Sequence, residues 1–308
     1  MTRGGIGSIN GHLGAVGAEL LRTGRRVADL LLGGSSTISP TAYYTGHVWA
    51  RNGLGDPGLA PAAGRALFLL VQPLMLPVDV LGGPTLEHFL LARHRIIDRL
   101  LDHEIRTGRV DQVVELACGM SPRGLRFTRE HPDLVYVEAD LPGIAEQKRD
   151  ALARCGGLSD RHRVESVDVF GDDFGRLFAG LDTNRGVAVV TEGLLNYFPT
   201  ARVEELWSRI AGELARFPSG LYLSDLHLAG GAGPVDHAFV LALGAFVRGR
   251  VHLHFDDASS AVQVLEQRGF DTAALHAPEE YADALPGMDA AGADRVRVVE
   301  ARTGAAGG

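Results

Sequence analysis

Leu86, Phe89, Leu90, Ile96, Ile97, Leu100 and Leu101 recur at roughly helical spacing and Gly108 closes the segment, so an amphipathic helix is predicted from Thr85. Downstream the period changes. Short apolar runs at Val113–Ala117, Leu134–Ala139, Val164–Val169, Val187–Thr191 and Gly220–Ser224 read as strands. Helical patterns separate them at Arg123–Glu130, at Ile144–Arg154 and in the stretch that puts Val203, Leu206, Trp207, Ile210 and Leu214 on one face. A further helix is predicted at Ala258–Arg268, with strands at Thr272–His276 and Val296–Ala301 finishing the sheet. This alternation implies an α/β fold, a seven-stranded and mostly parallel sheet covered on both faces, with right-handed crossovers. Ligands of such sheets lie beyond the carboxyl ends of the strands.

Upstream the regularity is lost. Residues 1–40 are glycine-rich, with a short helix predicted around Ala18–Leu32. Tyr43, Tyr44, Trp49 and Phe68 then sit among glycines and prolines, which suggests short helices and loops forming a cap. The expected organisation is an N-terminal helical cap over 1–84 and an α/β core over 85–308. An insertion near 229–257 carries Phe239, Phe246 and Phe255.

Composition narrows the partners. Of 308 residues 45% are hydrophobic and 22% charged, an ordinary globular balance, and the net charge of −8 argues against nucleic acid as a partner. Two cysteines, Cys118 and Cys155, are too few for a disulfide framework or a cysteine-rich zinc site. The longest apolar stretch, Ala66–Leu81, is broken by Gln72, Pro73, Pro77 and Asp79, so no membrane span is expected. With no export signal read at the N-terminus, the expected location is cytoplasmic.

The chemistry gathers at the strand ends. The first strand runs into A-C-G, the second ends at Asp140, the third near Asp168 and the fourth at Glu192. A carboxylate after the second strand suits the two hydroxyls of a ribose. The loop in V-V-E-L-A-C-G-M-S-P-R-G lacks the three-glycine spacing of a pyrophosphate cradle and carries Pro122 between Gly119 and Gly124. S-adenosyl-L-methionine has no phosphate and a cationic sulfonium, so an acidic edge suits it better than it suits a dinucleotide.

Three segments in order, E-L-A-C-G-M-S-P-R-G, then Y-V-E-A-D-L-P followed by Lys148, then T-E-G-L-L-N-Y-F, resemble the leucine carboxyl methyltransferase family, including its bacterial polyketide O-methyltransferase branch. The resemblance covers roughly 90–228 and implies a class I methyltransferase (Rossmann-like) fold with a helical cap. It implies that Arg93 pairs with the methionine carboxylate of S-adenosyl-L-methionine. It further implies that Ala117 and Gly119 admit the cofactor to the backbone, that Asp140 takes the ribose diol, that Asp168 and Val169 flank the adenine, and that Glu192 faces the methionine portion. Two positions depart from the family: its first loop glycine is Ala117 here, and its usual acid after the loop is Ser121.

The remaining candidates divide between function and packing. His227, beyond the fifth strand, is the candidate general base, with Asp225 as alternative, and Tyr197 places a hydroxyl near the site. Cys118 has no sequence neighbour to activate it and reads as a small residue beside a ligand. His252 and His254 with Asp256 form too small a fragment to assign a metal. Lys148, Arg149 and Arg154 read as a solvated helix face. The expected activity is methyl transfer from S-adenosyl-L-methionine to a carboxylate or hydroxyl of a small acceptor of secondary metabolism. The alternatives are a non-methylating enzyme or scaffold on the same fold and, behind it, a nucleotide-linked oxidoreductase.

Overall fold

Thr85 starts the long helix by accepting the His88 N–H on its hydroxyl at 3.2 Å, and the chain stays helical from Leu86 to Arg106 before turning at Thr107 and Gly108. The computed structural model describes residues 40–60, 62, 64–69, 85–229, 252–290 and 293–304. The predicted helix at Ala18–Leu32 and the aromatics Phe239 and Phe246 lie outside the described residues. Helix α1 spans Pro40–Arg51, α2 is the long helix Leu86–Arg106, α3 is Arg123–Glu130, α4 is Pro142–Arg154 and α5 is Arg176–Ala179. Helix α6 is Thr200–Leu214 and α7 is Ala258–Gln267.

The strands are β1 (Gln112–Leu116), β2 (Val135–Asp140), β3 (His162–Ser166), β4 (Val187–Thr191), β5 (Gly220–Leu226), β6 (Thr272–His276) and β7 (Arg297–Thr303). They form one seven-stranded sheet in the order β3-β2-β1-β4-β5-β7-β6. The pairings from β3 through β5 are parallel, and β7 inserts antiparallel between β5 and β6. The order reverses between β1 and β4, which leaves a crevice at their carboxyl ends.

Alternation along each strand sorts side chains onto two cores. Val113, Ala188, Val190, Leu221 and Leu223 pack with α1, α2, α3 and α4, whereas Val114, Leu116, Val187, Val189 and Tyr222 pack with α5, α6 and α7. The upstream aromatics join the first core: Tyr43, Tyr44, Val48 and Trp49 of α1 are buried together with Phe89 and Leu90 of α2.

The strand bounds differ most at β3, which is predicted to reach Val169 but stops at Ser166. Asp168 ends it by turning the chain. Its carboxylate accepts the Phe170 N–H at 2.9 Å and its carbonyl accepts the Gly171 N–H at 2.8 Å, so the local turn replaces the ladder.

Candidate functional site

A cavity of about 420 Å³ opens beyond the carboxyl ends of β1 and β4. It is lined by Arg93, Ala117, Gly119, Asp140, Asp168, Val169, Glu192, Tyr197 and His227, the residues singled out from the sequence, together with apolar side chains of α1 and α2.

The floor is the loop after β1. Ala117 and Gly119 both have φ of +51°, the left-handed region that glycine enters freely and alanine enters at a cost. The loop holds this shape through two bonds to β2: Cys118 N–H reaches the Ala139 carbonyl at 3.1 Å, and Gly119 N–H reaches Asp140 Oδ2 at 2.8 Å. Asp140 Oδ1 accepts the Leu141 N–H at 2.7 Å, and no side chain caps α4, so Asp140 belongs to the loop and cavity rather than to a helix cap. Burial raises the Asp140 carboxyl above the usual carboxylate range, against the pull of the Gly119 and Leu141 N–H groups. The Cys118 thiol is buried and pushed well up for the same reason, which keeps it protonated and inert.

Arg93 and Glu192 meet at the centre, where each is a partner of the other. Arg93 is not a solvated helix arginine: it is buried, with Nε on Glu192 Oε1 at 3.2 Å and Nη1 on Asp225 Oδ2 at 2.8 Å. These bonds use two of the five N–H donors of its guanidinium, so donors remain for an incoming carboxylate. Asp225 also accepts the Gly193 N–H at 2.6 Å. Both carboxylate oxygens of Asp225 are thus engaged, Oδ2 by Arg93 and Oδ1 by Gly193.

Behind Glu192 lies a buried charge network that sequence reasoning missed. Arg123, with no exposed surface, sends Nε to Asp98 at 2.6 Å, Nη1 to Glu115 at 2.5 Å and Nη2 to Glu192 at 2.6 Å. His94 Nδ1 lies 2.8 Å from Glu192 Oε2, and Tyr136 donates to Glu115 at 2.7 Å. Burial alone would raise the Glu192 carboxyl, yet His94 and Arg123 hold it far below the usual range. The signal was present in the pattern: Glu115 interrupts an apolar strand, and His94 and Asp98 stand four apart on the buried face of α2.

Lys148 corrects an expectation. It is fully buried rather than part of a solvated face, paired with Glu138 Oε2 at 2.6 Å and donating to the Ser121 carbonyl. Its neighbours Arg149 and Arg154 are exposed as expected.

The cavity wall also carries apolar and aromatic side chains, Tyr44, Trp49, Leu86, Phe89, Leu194 and Phe198. His227 stands here, packed against the Phe89 ring with centroids 4.8 Å apart, and Nε2 lies 3.8 Å from Asp225. Burial lowers its imidazole to about 4, so it is neutral at neutral pH. Tyr197 lies at the rim, 38% exposed. His254 is committed elsewhere, Nδ1 to Thr200 at 3.0 Å and Nε2 to the Leu195 carbonyl at 3.1 Å, which gives it a packing role in place of the weak metal fragment.

A family model described as leucine carboxyl methyltransferase matches this part of the chain. The match covers residues 77–211. The matched segment runs from before α2 through most of α6, and of the cavity residues named from the sequence His227 alone lies beyond it. Two relatives from Mycobacterium sp. (strain KMS), provisionally named S-adenosyl-L-methionine-dependent methyltransferases, are similar to it. One is 35% identical over 164 residues, 53% of this chain and 50% of the relative. The other is 33% identical over 146 residues, 46% of this chain and 47% of the relative. The chain thus spans about half the length of the curated relatives it matches. Among solved structures, a protein from Thermobifida fusca YX, provisionally titled a methyltransferase, superposes with a TM-score of 0.54 at 16% identity, covering 91% of this chain and 94% of that one. The apo form of the S-adenosylmethionine-dependent methyltransferase SibL gives 0.50 at 18% identity, covering 80% and 60%. The fold is that of class I methyltransferases. No helix among the described residues is long and apolar enough to cross a membrane.

Proposed function

We propose that this protein is an S-adenosyl-L-methionine-dependent methyltransferase that methylates a hydroxyl of a small, apolar acceptor of secondary metabolism. The observation that supports the reading is a single cavity lined both by the acids Asp140, Asp168 and Glu192 and by the aromatic side chains of Phe89, Trp49 and Phe198. The donor set fits the cofactor. Asp140 is oriented by two N–H groups toward a diol, and Arg93 keeps donors for an α-carboxylate. Asp168 and Val169 sit beside them for the adenine, and Glu192 faces the methionine end. Bound S-adenosyl-L-methionine supplies an electrophilic methyl group on a sulfonium.

The chain's own contribution is orientation, exclusion of water and management of one proton. The aromatic wall admits an apolar acceptor, and the buried network keeps Glu192 and Arg93 in fixed positions. Neutral His227 accepts the proton that the acceptor hydroxyl gives up, and Tyr197 at the rim contributes a hydroxyl to acceptor binding. A hydroxyl is favoured over a carboxylate because Arg93, the one cationic side chain among the described residues of the cavity wall, is assigned to the cofactor. A cytoplasmic site of action fits this reading.

Titration calorimetry with S-adenosyl-L-methionine and S-adenosylhomocysteine tests the cofactor assignment, and binding of both is expected. A well-folded protein that binds neither would sink it. Intact-mass screening of hydroxyl-bearing and carboxyl-bearing aromatic compounds tests the acceptor, with gain of one methyl by the former expected. Products of unchanged mass and an unconsumed cofactor would favour the non-methylating alternative.

A further inference from the structure

The groups that hold the cofactor loop from beneath are not exhausted by Asp140. Lys148 lies on α4 with no exposed surface, and its ammonium has two partners on different elements. One is Glu138 Oε2 of β2 at 2.6 Å; the other is the backbone carbonyl of Ser121 in the loop. Glu138 is equally buried, and its Oε1 meets His162 Nε2 of β3 at 2.7 Å. A line of three polar groups therefore runs from the sheet to the loop. Gly124 fits its surroundings because a Cβ there would collide with the Glu138 carboxylate and would come within 2.7 Å of His162 Nε2.

The Ser121 carbonyl sits at a decisive place. The loop is a turn closed by Ser121 N–H on the Cys118 carbonyl at 2.9 Å, and Gly119, inside that turn, gives its N–H to Asp140. Lys148 thus anchors the far side of the turn whose near side orients Asp140. A lysine that served packing alone would have been replaceable by an apolar chain of similar volume, since burying an ammonium costs several kcal/mol before its partners offset it. We infer that Lys148 is a positioning residue for the cofactor, acting through the Ser121 carbonyl to hold the Cys118–Ser121 turn in the form that aims Asp140 at the ribose. This rests on the cofactor reading above.

Two variants separate positioning from charge balance. Lys148→Met combined with Glu138→Gln removes the ammonium together with its counter-charge, so it avoids stranding a buried carboxylate. Glu138→Gln alone removes the ion pair but keeps the Lys148 bond to Ser121. Thermal unfolding and calorimetry with S-adenosylhomocysteine are measured on both and on the wild type. The double variant is expected to bind roughly 10- to 100-fold more weakly, the equivalent of one hydrogen bond to a charged group, and the single variant to bind within about twofold of wild type. The single variant is nonetheless expected to melt at a lower temperature. Wild-type affinity in the double variant would overturn the inference. Equal loss of affinity in the single variant would also overturn it, including where the double variant does not fold. If the wild type itself fails to bind, the cofactor reading falls and carries this inference with it, a result distinct from binding that is indifferent to Lys148.

Discussion

Ala117 shows how far one residue can be read. Its departure from glycine is visible in the sequence, but its φ of +51° is not, because left-handed backbone is set by where the loop must go next. That conformation costs alanine roughly 1–2 kcal/mol, while a glycine returns roughly 0.4–1 kcal/mol of unfolded-chain entropy. Ala117→Gly is therefore expected to leave stability unchanged or raise it by up to about 1.6 kcal/mol in urea denaturation. Asp140→Ala is expected to weaken S-adenosylhomocysteine binding by roughly 1–3 kcal/mol, the value of the lost ribose bonds. Because the Asp140 carboxyl is raised, affinity should fall with pH before the ordinary carboxylate range near ~3.9 is reached, and Asp140→Asn should remove that inflection in a titration series. His227 runs the other way. Its imidazole lies at about 4 when folded and near ~6.5 when unfolded, so the unfolded chain takes the proton first. Its effect is absent above ~6.5 and costs up to about 3 kcal/mol as pH falls toward about 4, measurable as the difference between wild type and His227→Phe in denaturation at pH 7 and pH 5.

At the scale of elements, periodicity carried most of the structure. Helix α3 and strands β4 and β6 have their predicted bounds, and α2 and the α6 pattern place their apolar residues inward as expected. Asp140 and Glu192 end their strands in hydrophobic runs, which is why both were legible as site residues. What periodicity cannot supply is the pairing of polar groups that are distant in sequence. Arg123 reaches Asp98, Glu115 and Glu192 only because α2, β1 and β4 converge, and Lys148 was misread because its burial depends on the packing of α4 over the loop. Arg123→Met would strand three carboxylates and is expected to cost about 3–5 kcal/mol, seen as a large fall in the denaturation midpoint.

Over the whole molecule, the cavity follows from the sheet order, because ligands gather where a parallel sheet reverses its strand order and the strand ends there carry the polar residues. The region upstream of α2 was less legible, since glycine and proline punctuation says where a helix stops but not which face of the core it covers. Helix α1 covers the loop: Ala42 Cβ lies 3.4 Å from where a Gly119 side chain would begin, and Tyr43 donates to Gln147 of α4. Arg93, Asp98, Glu115, Arg123, Glu192 and Asp225 answer one another's charge in a dry interior, so a lone replacement strands its partners while a matched pair does not. Lineages should cross such a network by coupled steps, and an alignment of relatives is expected to show these positions changing together or not at all.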